Sequence, residues 1–246
     1  MLQGLLEESV SQKYPLGMRY GLEDRVYRYV QADADRQLRA AYAVSPDVRY
    51  AETGVPTVEA AAGQKVVALT AVGTVAINEF TGGTLSNAGG GYGVNYRIKS
   101  NTAAAPAGAF TVTLWDNIVT ALAVGDAITL FHSPWRRVFC MAQRLGDAVV
   151  TDYKKLSFIG VPNRFVQAAY YCWIQTWGPC MVIPAGGAEG VADNERAMAW
   201  EDDGAITRIR YDVVGAAQNQ YAGFVLPVTT AGAIPGLLQI MLQISP

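Results

Sequence analysis

The feature that most constrains this chain is a series of short segments in which apolar and polar residues alternate. Such segments are rich in Val, Ile, Thr and aromatic residues, and they cover residues 65–77, 96–100, 110–115, 127–132, 205–214, 221–228 and 237–244. A period of two predicts β-strands. Turn-forming runs such as "SNAGGG", "AVGD" and "EDDG" lie between them. Short strands at this spacing are typical of an all-β sandwich or barrel.

The length of 246 residues suits two β-sandwich or barrel-like modules. We divide the chain into an extended N-terminal arm and hairpin (1–60), a first β module (61–135) and a second β module (136–246). The run "GLEDR" predicts the hairpin turn, after which Tyr27 and Tyr29 share one face. We expect the modules to stay folded when residues 1–30 are removed. A short amphipathic helix is expected around Leu38 and Tyr42.

Charge and hydropathy limit the classes of partner. The formal net charge is −2 and the basic residues are scattered, whereas nucleic-acid binding needs a positive field. No apolar run approaches the ~20 residues that span a bilayer. The start, "MLQGLLEESVSQ", does not have the pattern of a signal peptide. We therefore expect a protein made in a cytosol that contacts neither nucleic acid nor membrane.

Motifs for catalysis are weak. His132 is the single histidine, and the run "TGGTLSNAGGGYGVN" lacks the Lys-Ser or Lys-Thr of a phosphate-binding loop. The carboxylates Glu201 to Asp203 precede Gly204, which indicates a hairpin turn more than a glycosidase pair. We predict no enzymatic activity, no catalytic residues, no cofactor and no metal. A β-sandwich hydrolase using Glu201 to Asp203 is the lowest-ranked alternative.

The stretch "YYCWIQTWGPC", residues 170–180, concentrates aromatic residues and thiols. Cys172 and Cys180 are eight residues apart, outside the usual zinc-knuckle spacing, and we expect buried free thiols. As a strand, this stretch places Tyr171, Trp173, Gln175 and Trp177 on one face. That aromatic face is either the core of a strand covered on both sides or a contact between subunits.

The stretch "GVPNRFVQAAYYCWIQTWGPCMVIPAG" and the later "AGFVLPV" resemble the capsid decoration (cement) proteins of tailed bacteriophages. The resemblance extends to "YPLGMRYGLEDRVYRYVQA", "GTVAINEFTGG", "YRIKSN" and "TVTLWDNIVTALAVGDAITLF", so it covers most of the chain. Those proteins often carry an aromatic-Gly-Trp-Ile/Val-Gln-Thr-Trp-Gly-Pro-Ala strand. Here Cys172 and Cys180 stand where that pattern has Gly and Ala.

This resemblance implies a structural virion protein on the exterior of an icosahedral head, made in the host cytoplasm. It implies a homotrimer that bridges neighbouring major capsid protein subunits, with an arm suited to β-augmentation on a neighbour. Our candidates for intersubunit contact are Tyr14, Arg19, Tyr20, Arg25, Tyr27, Trp173, Gln175 and Trp177. The alternative is a carbohydrate-binding tail or receptor-binding module, in which an exposed Trp stacks on sugar rings.

Overall fold

The computed structural model describes residues 2–46, 51–57, 59–87, 94–140, 157–185, 196–209, 220–226 and 237–246. Every regular element in these residues is a β-strand, which confirms the predicted all-β class. No helix in these ranges is long and apolar enough to cross a membrane. The strands are β1 (Arg19–Leu22), β2 (Arg25–Gln31), β3 (Val44–Pro46), β4 (Ala51–Pro56), β5 (Val66–Thr70), β6 (Thr84–Asn87), β7 (Asn95–Asn101), β8 (Ala109–Leu114), β9 (Ile128–Phe131), β10 (Val138–Cys140), β11 (Val161–Pro162), β12 (Tyr171–Val182), β13 (Ala197–Trp200), β14 (Ile206–Arg208), β15 (Tyr221–Val225) and β16 (Leu238–Gln243).

The chain forms two compact units. The first, here the sheet unit, combines Met1–Asp47 with Trp135–Pro246. Its main antiparallel sheet has the order β1-β2-β12-β16-β15-β13-β14, with β11 also paired to β12 and a separate β10-β3 ribbon. The strand β12 is 12 residues long and pairs with β2, β11 and β16, so it organises this sheet.

The second unit, here the barrel unit, comprises Val48–Pro134. Its strands close into an antiparallel barrel with the order β4-β5-β8-β7-β6-β9. Alternate residues point inward, as in β8, where Phe110, Val112 and Leu114 are buried. These side chains pack with Leu69, Ile98 and others into one apolar core. Closure removes the open sheet edges that a flat sheet of this size would expose.

The sequence-based division differs from these units at the arm. Residues 19–31 form β1 and β2 of the sheet unit, because β2 pairs with β12 from Tyr171 to Trp177. Val26, Tyr29 and Val30 in β2 are buried, so removing residues 1–30 takes away part of a core. The predicted first module, 61–135, lacks β4, which joins β5 to β9 in the barrel.

Local structure confirms the predicted turns and corrects the helix. The pairs β1–β2 and β13–β14 form the hairpins expected at "GLEDR" and "EDDG". The prediction of a short helix around Leu38 is wrong, because this segment is not helical. The Leu38 N–H donates to Val166 O (2.9 Å), and the Val166 N–H donates back to Leu38 O (3.0 Å). Asp33 Oδ1 also accepts from the Asp35 N–H at 3.1 Å, a local bond that competes with helix formation.

Candidate interaction surface

An aromatic cluster occupies one face of β2 and β12. The register sets Tyr29 opposite Trp173, so both rings stand on the same face. The ring centroid of Trp173 lies 5.1 Å from that of Tyr29, 5.2 Å from Tyr14 and 5.8 Å from Tyr20. These separations are those of favourable tilted and edge-to-face pairs. The cluster consists of Tyr27, Tyr29 and Trp173, with Leu5, Tyr14, Leu16, Tyr20 and Tyr171 packed against them.

The opposite face of the same two strands is an apolar core. Val30, Cys172 and Ile174 are buried there with Leu38, Val138 and others. The predicted alternation of β12 therefore holds from Tyr171 to Gln175. Both faces of this part of β12 are covered, and the paired register shifts between Gln175 and Trp177, where a bulge occurs.

The covering of the aromatic cluster comes from the amino-terminal segment, residues 2–17. Gln3 is 3% exposed, and both the oxygen and the nitrogen of its side-chain amide form hydrogen bonds. Its Oε1 accepts from the Tyr29 hydroxyl at 2.6 Å, and its Nε2 donates to Tyr171 O at 2.9 Å. The Trp173 Nε1 donates to the Gln3 backbone carbonyl at 3.4 Å. The buried indole N–H thus finds its partner on this segment, as buried Trp residues usually require.

A second set of contacts fastens the same segment. Ser9 and Tyr171 exchange two backbone hydrogen bonds of 3.0 and 2.8 Å. The Glu8 carboxylate accepts from Arg164 Nη2 (3.1 Å) and from the Gln167 N–H (2.8 Å). Arg164 Nη1 also donates to Leu6 O at 2.8 Å. Residues 2–9 are therefore docked on their own chain by backbone, charged and amide groups together.

Three of the predicted contact residues are buried inside the chain. Tyr27 is 3% exposed, Trp173 is 2% exposed and Gln175 is 1% exposed. The Gln175 Nε2 donates to Trp177 O (3.0 Å) and Pro179 O (2.8 Å), bonds that span the β12 bulge. A sugar ring has no access to the Trp173 indole while residues 2–17 are docked.

The other predicted contact residues are at the surface. Arg19 and Arg25 on the β1–β2 hairpin are exposed, whereas Tyr14, Tyr20 and Trp177 are half-buried. Arg19 stands directly opposite Arg28. Burial, and then the Arg19 charge, lower the pKa of Arg28. Like charges opposed across a strand pair repel, so this pair of arginines is an unfavourable contact within the hairpin.

The three cysteine thiols lie in the apolar cores of the sheet unit. Cys140, Cys172 and Cys180 are free and buried, as predicted. Burial raises the pKa of Cys172 far above its usual value and raises that of Cys180 to about 12. A thiol that stays protonated is neither a good nucleophile nor a metal ligand. The described residues also contain no group of three or more His, Cys, Asp or Glu side chains that could hold a metal ion.

Sequence reasoning missed Trp115, the most exposed of the five tryptophans, all of which lie in described residues. Trp115 follows β8 in the barrel unit and is 53% exposed. The signal was present, because Val112 and Leu114 point inward and Trp115 takes the opposite parity.

Comparison with known proteins adds no relative to this description. The chain matches no protein-family model, no curated protein and no solved structure.

Proposed function

We propose that this chain is a structural virion protein that decorates the outside of an icosahedral phage head. It stabilises the head by bridging major capsid protein subunits, and it does so as a homotrimer. The resemblance of its strand sequences to cement proteins supports this function. The structural observation that carries the proposal is the open outer edge of the β1–β2 hairpin.

The strand β1 ends the main sheet among the described residues. The Tyr29 N–H donates to Met18 O at 3.1 Å, and the register pairs Tyr20 with Tyr27 and Leu22 with Arg25. In an antiparallel pair the residues between such positions direct their N–H and C=O groups away from the partner strand. Arg19 and Gly21 therefore present backbone groups at the edge, where an extended segment of a capsid subunit can add a strand.

The decisive experiment uses the full chain and expanded, DNA-free heads assembled from the major capsid protein encoded with it. The wild-type chain is expected to cosediment with the heads at micromolar concentration and to run as a trimer in light scattering. Gly21→Pro removes an outward N–H without breaking a bond to β2, and is expected to weaken binding tenfold or more. Gly21→Ala is the matched control.

The control is expected to bind like the wild type. The nearest heavy atom to a Cβ at Gly21 is Arg19 Nη1, at 3.8 Å, so alanine fits without a clash. Failure of the wild-type chain to bind heads would refute the decoration function itself. Normal binding by Gly21→Pro would instead refute β1 as the docking edge while leaving decoration standing.

A further inference from the structure

A second exposed feature lies on the outer wall of the barrel unit, around Trp115. The Trp115 N–H donates to Arg97 O at 3.0 Å, which sets Trp115, just after β8, beside Arg97 on β7. Lys99 lies two residues beyond Arg97, and its Nζ is 5.1 Å from the centroid of the Trp115 ring. Lys65 Nζ donates to the Trp115 carbonyl at 2.9 Å. We name Lys65, Arg97, Lys99, Trp115 and Asp116 the Trp115 patch.

Most of the basic residues of the barrel unit lie in this patch. Residues 48–134 contain four Lys or Arg, of which three belong to the patch and the fourth is Arg49. Arg97 Nε and Nη2 donate to the two carboxylate oxygens of Asp116 at 3.2 and 3.3 Å, forming a bidentate salt bridge. That hydrogen bond raises the pKa of Arg97 and lowers that of Asp116, so both stay charged. The pair presents donors and acceptors together at the edge of an exposed indole.

The chemistry of these groups suits one class of ligand. A flat indole face packs against the C–H face of a sugar ring, because both are apolar and rigid. An exposed Arg–Asp pair offers donors and acceptors that match adjacent sugar hydroxyls. The Lys65 and Lys99 ammonium groups attract a negative charge. We propose that the Trp115 patch binds an anionic polysaccharide whose sugar rings carry carboxylate groups.

Two other partners fit less well. Residues 48–134 carry five Asp or Glu against four Lys or Arg, so the unit lacks the positive field that a phosphate backbone requires. A stable protein interface buries about 800 Å² per partner around an apolar centre. The outward residues of β8 are Ala109, Thr111 and Thr113, and those of β5 are Val66, Ala68 and Thr70. One exposed indole among hydroxyls, small aliphatic side chains and charges favours a thin glycan chain over a broad protein face.

The test titrates the full chain with oligosaccharides by calorimetry. The probes are oligomers of alginate, polygalacturonate and hyaluronate, which carry carboxylates, and neutral dextran oligomers of the same length. At least one carboxylated probe is expected to bind saturably, and Trp115→Ala is expected to weaken that binding tenfold or more. Phe165→Ala is the matched control, since Phe165 is an exposed aromatic of the sheet unit, at 42% exposure. It is expected to bind like the wild type.

A charge variant separates the carboxylate contact from stacking. Lys99→Gln is expected to weaken binding three- to tenfold and to reduce its salt dependence, because one ionic contact is lost. Circular dichroism of each variant confirms that the fold is kept. Absence of binding to all three carboxylated probes overturns the proposal, as does equal binding of dextran. Binding of poly-glutamate with the same affinity and the same dependence on Trp115 would assign the patch to an acidic protein segment. That result would overturn the proposal of a glycan ligand.

Discussion

Trp173 and Trp115 are two tryptophans on antiparallel β structure with opposite surroundings. Trp173 is 2% exposed beneath residues 2–17, whereas Trp115 is 53% exposed on the barrel. Both take outward positions with respect to an apolar core on the other side of their strand. The difference arises because a distant segment of the chain covers one of them. An aromatic face therefore becomes core or contact surface according to what the remaining chain supplies.

The largest effect that tests this comparison is loss of the buried ring. Trp173→Ala is expected to lower the free energy of unfolding by about 3–5 kcal/mol, because it leaves a cavity under the amino-terminal segment. Trp115→Ala, its matched control, is expected to change stability by less than about 0.5 kcal/mol. Urea unfolding followed by circular dichroism measures both. Equal destabilisation by the two variants would contradict the assignment of one ring to the core and the other to the surface.

A backbone position behind the hairpin tests how closely the sheet unit is packed. Gly178 in β12 has φ +91°, and a Cβ there would lie 2.3 Å from Asp24 O. Gly178→Ala is expected to cost about 3 kcal/mol, from strain and a backbone clash together. Gly125 in the barrel unit has φ +94° with open space around it, so Gly125→Ala isolates the strain, at about 1 kcal/mol. Similar midpoints of urea unfolding for the two variants would show that the backbone at Asp24 moves away from the added Cβ at little energetic cost.

Much of this fold was accessible from the sequence, because its signals are local. The alternation in β8 and in β12 predicted strands, and the runs "GLEDR" and "EDDG" predicted the hairpins that form. Burial of Cys172 also followed from alternation. These features depend on residues a few positions apart, where pattern and propensity decide the outcome.

The surroundings of the candidate site could not be predicted in the same way. Gln3 forms hydrogen bonds with Tyr171 and Trp173, which lie about 170 positions away in the sequence. Residues 2–9 have no strand pattern that would predict this contact. Leu38 likewise pairs with Val166 instead of forming a helix. Such pairings are decided by tertiary packing, which overrides weak local preferences.

A buried thiol beyond the bulge in β12 provides a test in pH. Burial raises the pKa of Cys180 from 9.0 to about 12 in the folded chain. Its contribution to stability is thus present below pH 9 and is lost as the pH rises from 9 toward 12. We expect the free energy of unfolding to fall by about 1 kcal/mol per thiol between pH 9 and pH 10. Cys180→Ala is expected to remove the contribution of one thiol from this pH dependence. An unchanged pH dependence would contradict the burial of Cys180.

The smallest expected effect concerns the fastening of the amino-terminal segment. Tyr29→Phe removes the hydroxyl that donates to Gln3 Oε1 at 2.6 Å and accepts from the Lys13 N–H at 3.1 Å. The cost is expected to be about 1 kcal/mol, which speeds local opening roughly fivefold. Hydrogen exchange measured by mass spectrometry should show this acceleration in residues 2–13 and no change in the barrel unit. Tyr20→Phe keeps the Gln3 bond and serves as the control. Unchanged exchange in Tyr29→Phe would mean that the Glu8 and Ser9 contacts alone hold the segment over Trp173.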